Sequence, residues 1–123
     1  MKLSRKEEEL INIIWRLGDA YMKDLLNAYP EPKPASTTVS TLLKRLINKG
    51  VISYRIHGNS RQYYGLINKT EYSSFNLKNM IGTFFQGSSS RFASFFANNM
   101  KLTKEELTEL RNIIDEKIDN LEK

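Results

Sequence analysis

No cysteine occurs in this 123-residue chain, and histidine occurs once, at position 57. Disulfides, thiolate metal sites and thiol redox sensing are therefore excluded, and one imidazole cannot by itself hold zinc. No metal and no cofactor are expected. No apolar run approaches the roughly 20 residues that span a bilayer. The basic start, Met1 to Arg5, runs into Lys6-Glu7-Glu8-Glu9 where a secretory signal would turn apolar. The expectation is a cytoplasmic protein without a membrane partner. G-x-S-x-G, P-loop and H-E-x-x-H patterns are missing, and no nucleophile stands beside a positioned base, so an enzyme is not expected.

Acidic residues are scarce in one place. None occurs between Glu31 and Glu71, a stretch that carries Lys33, Lys44, Arg45, Lys49, Arg55, Arg61 and Lys69. The formal net charge of +5 sits wholly in the first half, where residues 1–66 hold eleven Lys/Arg against six Asp/Glu, while residues 67–123 hold eight of each. A surface lacking acids suits a polyanion, because lysines and arginines set against phosphates displace condensed counterions.

Periodicity supplies the scaffold. Ser4 and Glu7 have capping-box spacing, and Leu10, Ile13, Ile14 and Leu17 follow on one helical face up to Gly18. A second, short helix is expected over Ala20–Tyr29, stopped by Pro30, Pro32 and Pro34. Ser36 or Thr37 can cap a third, with Val39, Leu42, Leu43, Leu46 and Ile47 inward and Gly50 as its stop. Two β-prone runs, Val51–His57 and Arg61–Ile67, flank the turn residues Gly58-Asn59-Ser60. Three helices and a hairpin in this order spell a winged helix-turn-helix over residues 1–68. Residues 69–123 read as a helical region, with helices expected over Thr70–Gln86, Ser88–Met100 and Thr103–Leu121. The fold class expected is thus mainly α with a small β-hairpin. The apolar residues of the second half, among them Phe84, Phe92, Phe95, Phe96, Leu107, Leu110, Ile114 and Ile118, exceed what so short an arm can bury against itself, and a second copy of the chain would cover them. The alternative is an arm that caps the first half.

The third helix is the candidate reader of double-stranded DNA. Its first turns offer Thr37, Thr38, Ser40 and Thr41 for base edges, the threonine methyls suiting thymine. Lys44, Arg45, Lys49, Arg55 and Arg61 are expected on phosphates. Tyr54, Tyr63 and Tyr64 are assigned to packing in the core and wing. A dimer built this way places two recognition helices in successive major grooves and reads a palindromic operator. Occupying a promoter would repress it. Two other readings stay open, a winged-helix protein-interaction module and a winged-helix regulator that answers to a small molecule.

The motifs Leu10-Ile-Asn-Ile-Ile-Trp15, Lys23-Asp24-Leu25, Ser36-Thr-Thr-Val-Ser-Thr-Leu-Leu-Lys-Arg-Leu46, Lys49-Gly50-Val51-Ile52 and Arg61-Gln-Tyr-Tyr64 resemble the penicillinase-repressor family, the BlaI/MecI/CopY-like regulators. The likeness extends to the terminal Leu102–Leu110 segment. It implies a homodimeric repressor of resistance or copper-homeostasis operons, dimerised through its C-terminal helices, with Thr37, Thr38 and Ser40 at base-contacting positions. In the copper-responsive branch a C-terminal cysteine cluster senses the metal, and this chain has none. In the β-lactam branch a sensor-transducer protease cuts an Asn-Phe bond; the matching bond here is Phe95–Phe96, with Phe95 in place of Asn.

Overall fold

The computed structural model describes residues 2–123. Six helices and three short strands follow in the order α1 (Arg5–Leu17), β1 (Ala20–Tyr21), α2 (Met22–Ala28), α3 (Ser36–Asn48), β2 (Ile52–His57), β3 (Ser60–Gly65), α4 (Lys69–Phe85), α5 (Ser89–Asn99) and α6 (Lys104–Glu122). The chain is mainly helical, and its first part has the order of a winged helix-turn-helix. No described helix is long and apolar enough to cross a membrane. The chain divides into two compact units, the first running to Asn76 and the second spanning Leu77–Lys123. The boundary expected at 68/69 falls at the start of α4, whose first two turns belong to the first unit.

The first unit has one apolar core. Leu10, Ile11, Ile13 and Ile14 of α1, Leu25 of α2, and Val39, Leu42, Leu43 and Leu46 of α3 pack with Val51, Ile52 and Tyr63 of the sheet region. Helix α1 begins with a complete capping box: Ser4 Oγ accepts from the Glu7 amide and Glu7 Oε1 accepts from the Ser4 amide at 2.7 Å. Helix α3 ends in a full Schellman motif, the Gly50 amide donating to Ile47 O and the Val51 amide to Leu46 O. This ending needs Gly50 at φ +76, a region that side chains disfavour.

Two expectations are corrected here. Residues 20 and 21 are not helical: Ala20 and Tyr21 pair antiparallel with Tyr63 and Gln62, so the hairpin is the larger part of a three-stranded sheet ordered β1-β3-β2. The free edge of β3 offers these residues backbone partners, and helix α2 starts only at Met22, where the Asp24 carboxylate accepts from the Tyr21 amide at 2.9 Å. Nor do Ser36 or Thr37 cap α3. Its N-cap is Ala35, which follows Pro34 in an extended conformation and makes no side-chain cap.

Long-range polar contacts complete the first unit. Trp15 Nε1 donates to Ile67 O at 2.9 Å, the Trp15 ring lies 5.8 Å from that of the buried Tyr72, and the Tyr72 hydroxyl donates to Glu8 Oε2 at 2.6 Å. Asn68 and Glu71 form a reciprocal cap at the start of α4. The Glu7 side chain is 2% exposed, and Lys49 Nζ donates to its Oε1 at 2.7 Å and to Lys2 O at 2.9 Å. Burial pushes the Glu7 carboxyl upward, but the hydrogen bonds from Lys49 and Ser4 outweigh it and hold the group below its ordinary value of 4.5.

In the second unit, α5 and α6 contain no buried residue. Phe85 meets Phe92 at 5.7 Å and Phe95 at 5.3 Å, and Phe92 stacks on Phe96 at 6.0 Å. Phe85, Phe92 and Phe95, with Met80 and Phe84, line an open cavity of about 510 Å³. Caps are supplied by Ser88 for α5 and by the reciprocal Thr103 and Glu106 for α6.

The Glu7 contacts generate a stability prediction. Glu7→Gln should lower unfolding free energy by about 1–3 kcal/mol at neutral pH, the lower part of the range applying if solvent screens the half-exposed Lys49. Because the folded carboxyl titrates below its unfolded value, its ionised form stabilises the fold above about pH 4.5, and this contribution is lost as pH falls through the folded value. Denaturant melts should therefore show the wild-type advantage holding from about pH 7 down to about pH 4.5 and shrinking as the pH is lowered further; an advantage undiminished by acid would refute the assignment.

Candidate nucleic-acid interface

Helix α3 has two chemically distinct sides. Val39, Leu42, Leu43 and Leu46 are buried in the core, while Thr37, Thr38, Ser40, Thr41, Lys44, Arg45 and Asn48 are all exposed. A period of 3.6 residues sorts the sequence this way once the apolar residues are fixed inward. Among the described residues no side-chain hydrogen bond engages the hydroxyls of Thr37, Thr38 or Ser40, whereas the Thr41 hydroxyl donates to Thr37 O at 3.1 Å. Since Ala35 lacks a capping side chain, those hydroxyls are also free of the capping duty that the sequence offered them. Each can donate and accept at once.

The wing follows directly from the end of α3. A two-residue turn, Gly58-Asn59, joins β2 and β3, with His57 opposite Ser60 and Gly58 at φ +62. Strand alternation sends Tyr54, Ile56, Arg61 and Tyr63 to one face and Arg55, His57, Gln62 and Tyr64 to the other. Both wing arginines lie diagonally over a tyrosine of the facing strand, Arg61 at 4.3 Å from the Tyr54 ring centre and Arg55 at 4.1 Å from that of Tyr64. Arg55 also pairs with Asp19 at 3.0 Å. Stacking of this kind restrains a guanidinium while leaving its edge donors available. Sequence reasoning assigned these tyrosines to packing and missed their second use. The diagonal spacing of Tyr54 and Arg61 across the hairpin was the signal that could have found it.

The five cations expected on phosphates, Lys44, Arg45, Lys49, Arg55 and Arg61, are all exposed. Lys49 differs from the other four in its partners: its ammonium is held by the buried Glu7 carboxylate at 2.7 Å and by Lys2 O at 2.9 Å. The residues expected at a dimer interface lie in the second unit: Phe84 is 70% exposed, and Phe95, Leu107, Ile114 and Ile118 are exposed as well, while Phe92, Phe96 and Leu110 are half-buried. The Phe95–Phe96 bond lies inside α5.

Comparison with known proteins agrees with the motif resemblance. The profile of the penicillinase repressor family matches residues 3–116. The methicillin resistance regulatory protein MecI of Staphylococcus aureus (strain N315) is 30% identical over 117 residues, which span 94% of this chain and 95% of that protein. The penicillinase repressor of Bacillus licheniformis is 25% identical over 116 residues, 94% of this chain and 91% of its own length. A solved structure of the CopR repressor is 30% identical and covers 55% of this chain and 100% of its own, with a TM-score of 0.47.

The stacked arginines can be checked in the free protein. Ring currents should shift the side-chain proton resonances of Arg61 and Arg55 upfield, and Tyr54→Leu and Tyr64→Leu should each remove the shift of their own partner. Each substitution should cost about 0.5–1 kcal/mol of stability through the lost cation–π contact. Unshifted arginine resonances in the wild type would show the wing to be differently arranged.

Proposed function

The chain belongs to the penicillinase repressor family, and from that membership we propose that it is a DNA-binding transcriptional repressor, acting as a homodimer on a palindromic operator. One observation carries the DNA reading. The exposed side of α3 and the adjoining wing combine unbonded hydroxyls with cations across a stretch that contains no acid. A protein-docking face would be more apolar at its centre. In this reading Thr37, Thr38, Ser40 and Thr41 meet base edges in the major groove, the threonine methyls favouring thymine. Lys44, Arg45, Arg55 and Arg61 meet phosphates and set the register.

The dimer is supported by the second unit. Ile113, Ile114, Ile118 and Leu121 of α6 are all exposed, together with Phe84 and the open aromatic cavity beside it. So much uncovered apolar surface on a helical arm suits a matching arm of a second copy. A two-fold dimer would present two copies of α3 to successive major grooves, about one helical turn or a multiple of it apart. Relief of repression is assigned to cleavage at Phe95–Phe96 by a sensor-transducer protease. Phe95 packs on Phe85 and Phe96 on Phe92, so cutting that bond requires local unwinding of α5.

Two experiments test this. Titration with duplexes at several salt concentrations should show Arg61→Ala weakening binding to every sequence and lowering the salt slope by about one, whereas Thr38→Ala mainly relaxes base preference. Wild-type protein that failed to bind any duplex at low salt would refute the reading. In sedimentation the full chain should have the mass of a dimer, and an Ile114→Asp, Ile118→Asp variant that of a monomer with affinity for a single half-site only. A variant that stayed dimeric would move the interface elsewhere.

A further inference from the structure

We propose that Lys33 and Lys49, which by sequence belong to the cationic stretch, are positioning residues that fix the two ends of α3 and make no contribution to phosphate binding. This rests on the DNA reading above, and concerns what sets the recognition helix in place.

The Lys33 ammonium donates to three carbonyl oxygens at the end of α2: Tyr29 O at 2.7 Å, Asn27 O at 3.0 Å and Leu26 O at 3.3 Å. An ammonium has three N–H donors, and these contacts use all of them. The acceptors are the carbonyls that a helix leaves unpaired at its C-terminus, where its dipole is negative, so a cation there is stabilised twice. The backbone of Lys33 is joined to the same loop, its amide donating to Glu31 Oε2 at 3.3 Å. Two residues later Ala35 starts α3 without a side-chain cap. With no capping group of its own, the start of α3 takes its position from the loop that Lys33 ties to α2.

The opposite end has a matching device. Lys49 is the C-cap of α3, and its ammonium reaches back to Glu7 Oε1 at 2.7 Å and Lys2 O at 2.9 Å, spanning to the start of α1. The Glu7 carboxylate is buried and its Oε2 has no partner among the described residues, so Lys49 is the cation that this carboxylate depends on. Removing either lysine would let one end of α3 shift relative to the core. Groove insertion tolerates little shift before base contacts are lost, whereas phosphate contacts made by long side chains adapt.

The test uses the full chain in four forms, wild type, Lys33→Met, Lys49→Arg and Arg61→Ala, titrated with an operator selected by the wild type and with unrelated duplex at several salt concentrations. Lys33→Met should weaken operator binding on the order of tenfold, with unrelated duplex affected far less and the salt slope unchanged. Lys49→Arg should retain most of the operator preference, because the longer cation can still reach Glu7. Arg61→Ala supplies the contrast, losing affinity for both duplexes and about one unit of salt slope. A unit loss of slope in Lys33→Met would overturn the proposal by making Lys33 a phosphate contact, and so would undiminished operator preference. Hydrogen exchange without DNA keeps the two readings apart: amides of residues 35–40 should exchange faster in Lys33→Met. That acceleration in a protein unable to bind duplex would leave the positioning role standing and refute only the DNA function, while its absence would overturn the positioning role regardless of binding.

Discussion

A buried carboxylate facing a single lysine organises the first unit. Glu7 sits in the first turn of α1, 2% exposed, and its charge is tolerable there only because Ser4 and Lys49 donate to it. Since Lys49 ends α3 and also holds the carbonyl of Lys2, one cation joins the start of the first helix, the end of the third and the segment before the first. The apolar core could accept several relative placements of α1 and α3, because dispersion and burial are not directional. A hydrogen-bonded ion pair selects among them. The Schellman ending at Gly50 then sends the chain into β2 from a fixed point, so the wing inherits its placement from the same pair.

The two units use polar chemistry differently. In the first, polar groups reach across long stretches of sequence: Trp15 to Ile67, Tyr72 to Glu8, Lys49 to Glu7. Each contact ties together elements that the core also packs, making the unit a rigid platform for what it displays. In the second unit the side-chain hydrogen bonds are local: caps at Ser88 and Thr103, Arg91 Nη1 donating to Gln86 Oε1, and bonds within helices from Asn98 and Asn99. Helices with well-made ends and uncovered apolar sides suit an interface, which is why the dimer proposal draws on this unit alone.

Most of the scaffold was legible in the sequence, because local rules decide it. Ser4 with Glu7 and Thr103 with Glu106 cap their helices as the spacing predicts, Gly50 ends α3, and the turn residues 58 and 59 close the hairpin. What escaped depends on distance. Ala20 and Tyr21 are too few for an alternation signal, and only the free edge of β3 makes them a strand. The start of α3 differs from the expectation by one or two residues because Ser36 and Thr37 look like caps; the extended Ala35 after Pro34 takes that position and leaves the hydroxyls outward. The pairing of Lys49 with Glu7 is invisible to local rules because the two lie 42 residues apart in sequence. Exposure of Lys44, Arg45 and Arg61 could be read from period and charge, but the tyrosine beneath Arg61 required the register of the hairpin.

The hydroxyl row on α3 has an evolutionary corollary. Thr37, Thr38 and Ser40 are exposed, and their side chains make no hydrogen bond among the described residues, so nothing in the core notices their identity. Surface substitutions of this sort usually shift stability by no more than about 0.5 kcal/mol. On the proposed DNA reading, a lineage can therefore rewrite those three letters and change its DNA address in single steps, each leaving a folded protein behind. Glu7 and Lys49 enjoy no such freedom, since altering one strands the other, and descendants of this chain should keep the two together or exchange them as a couple.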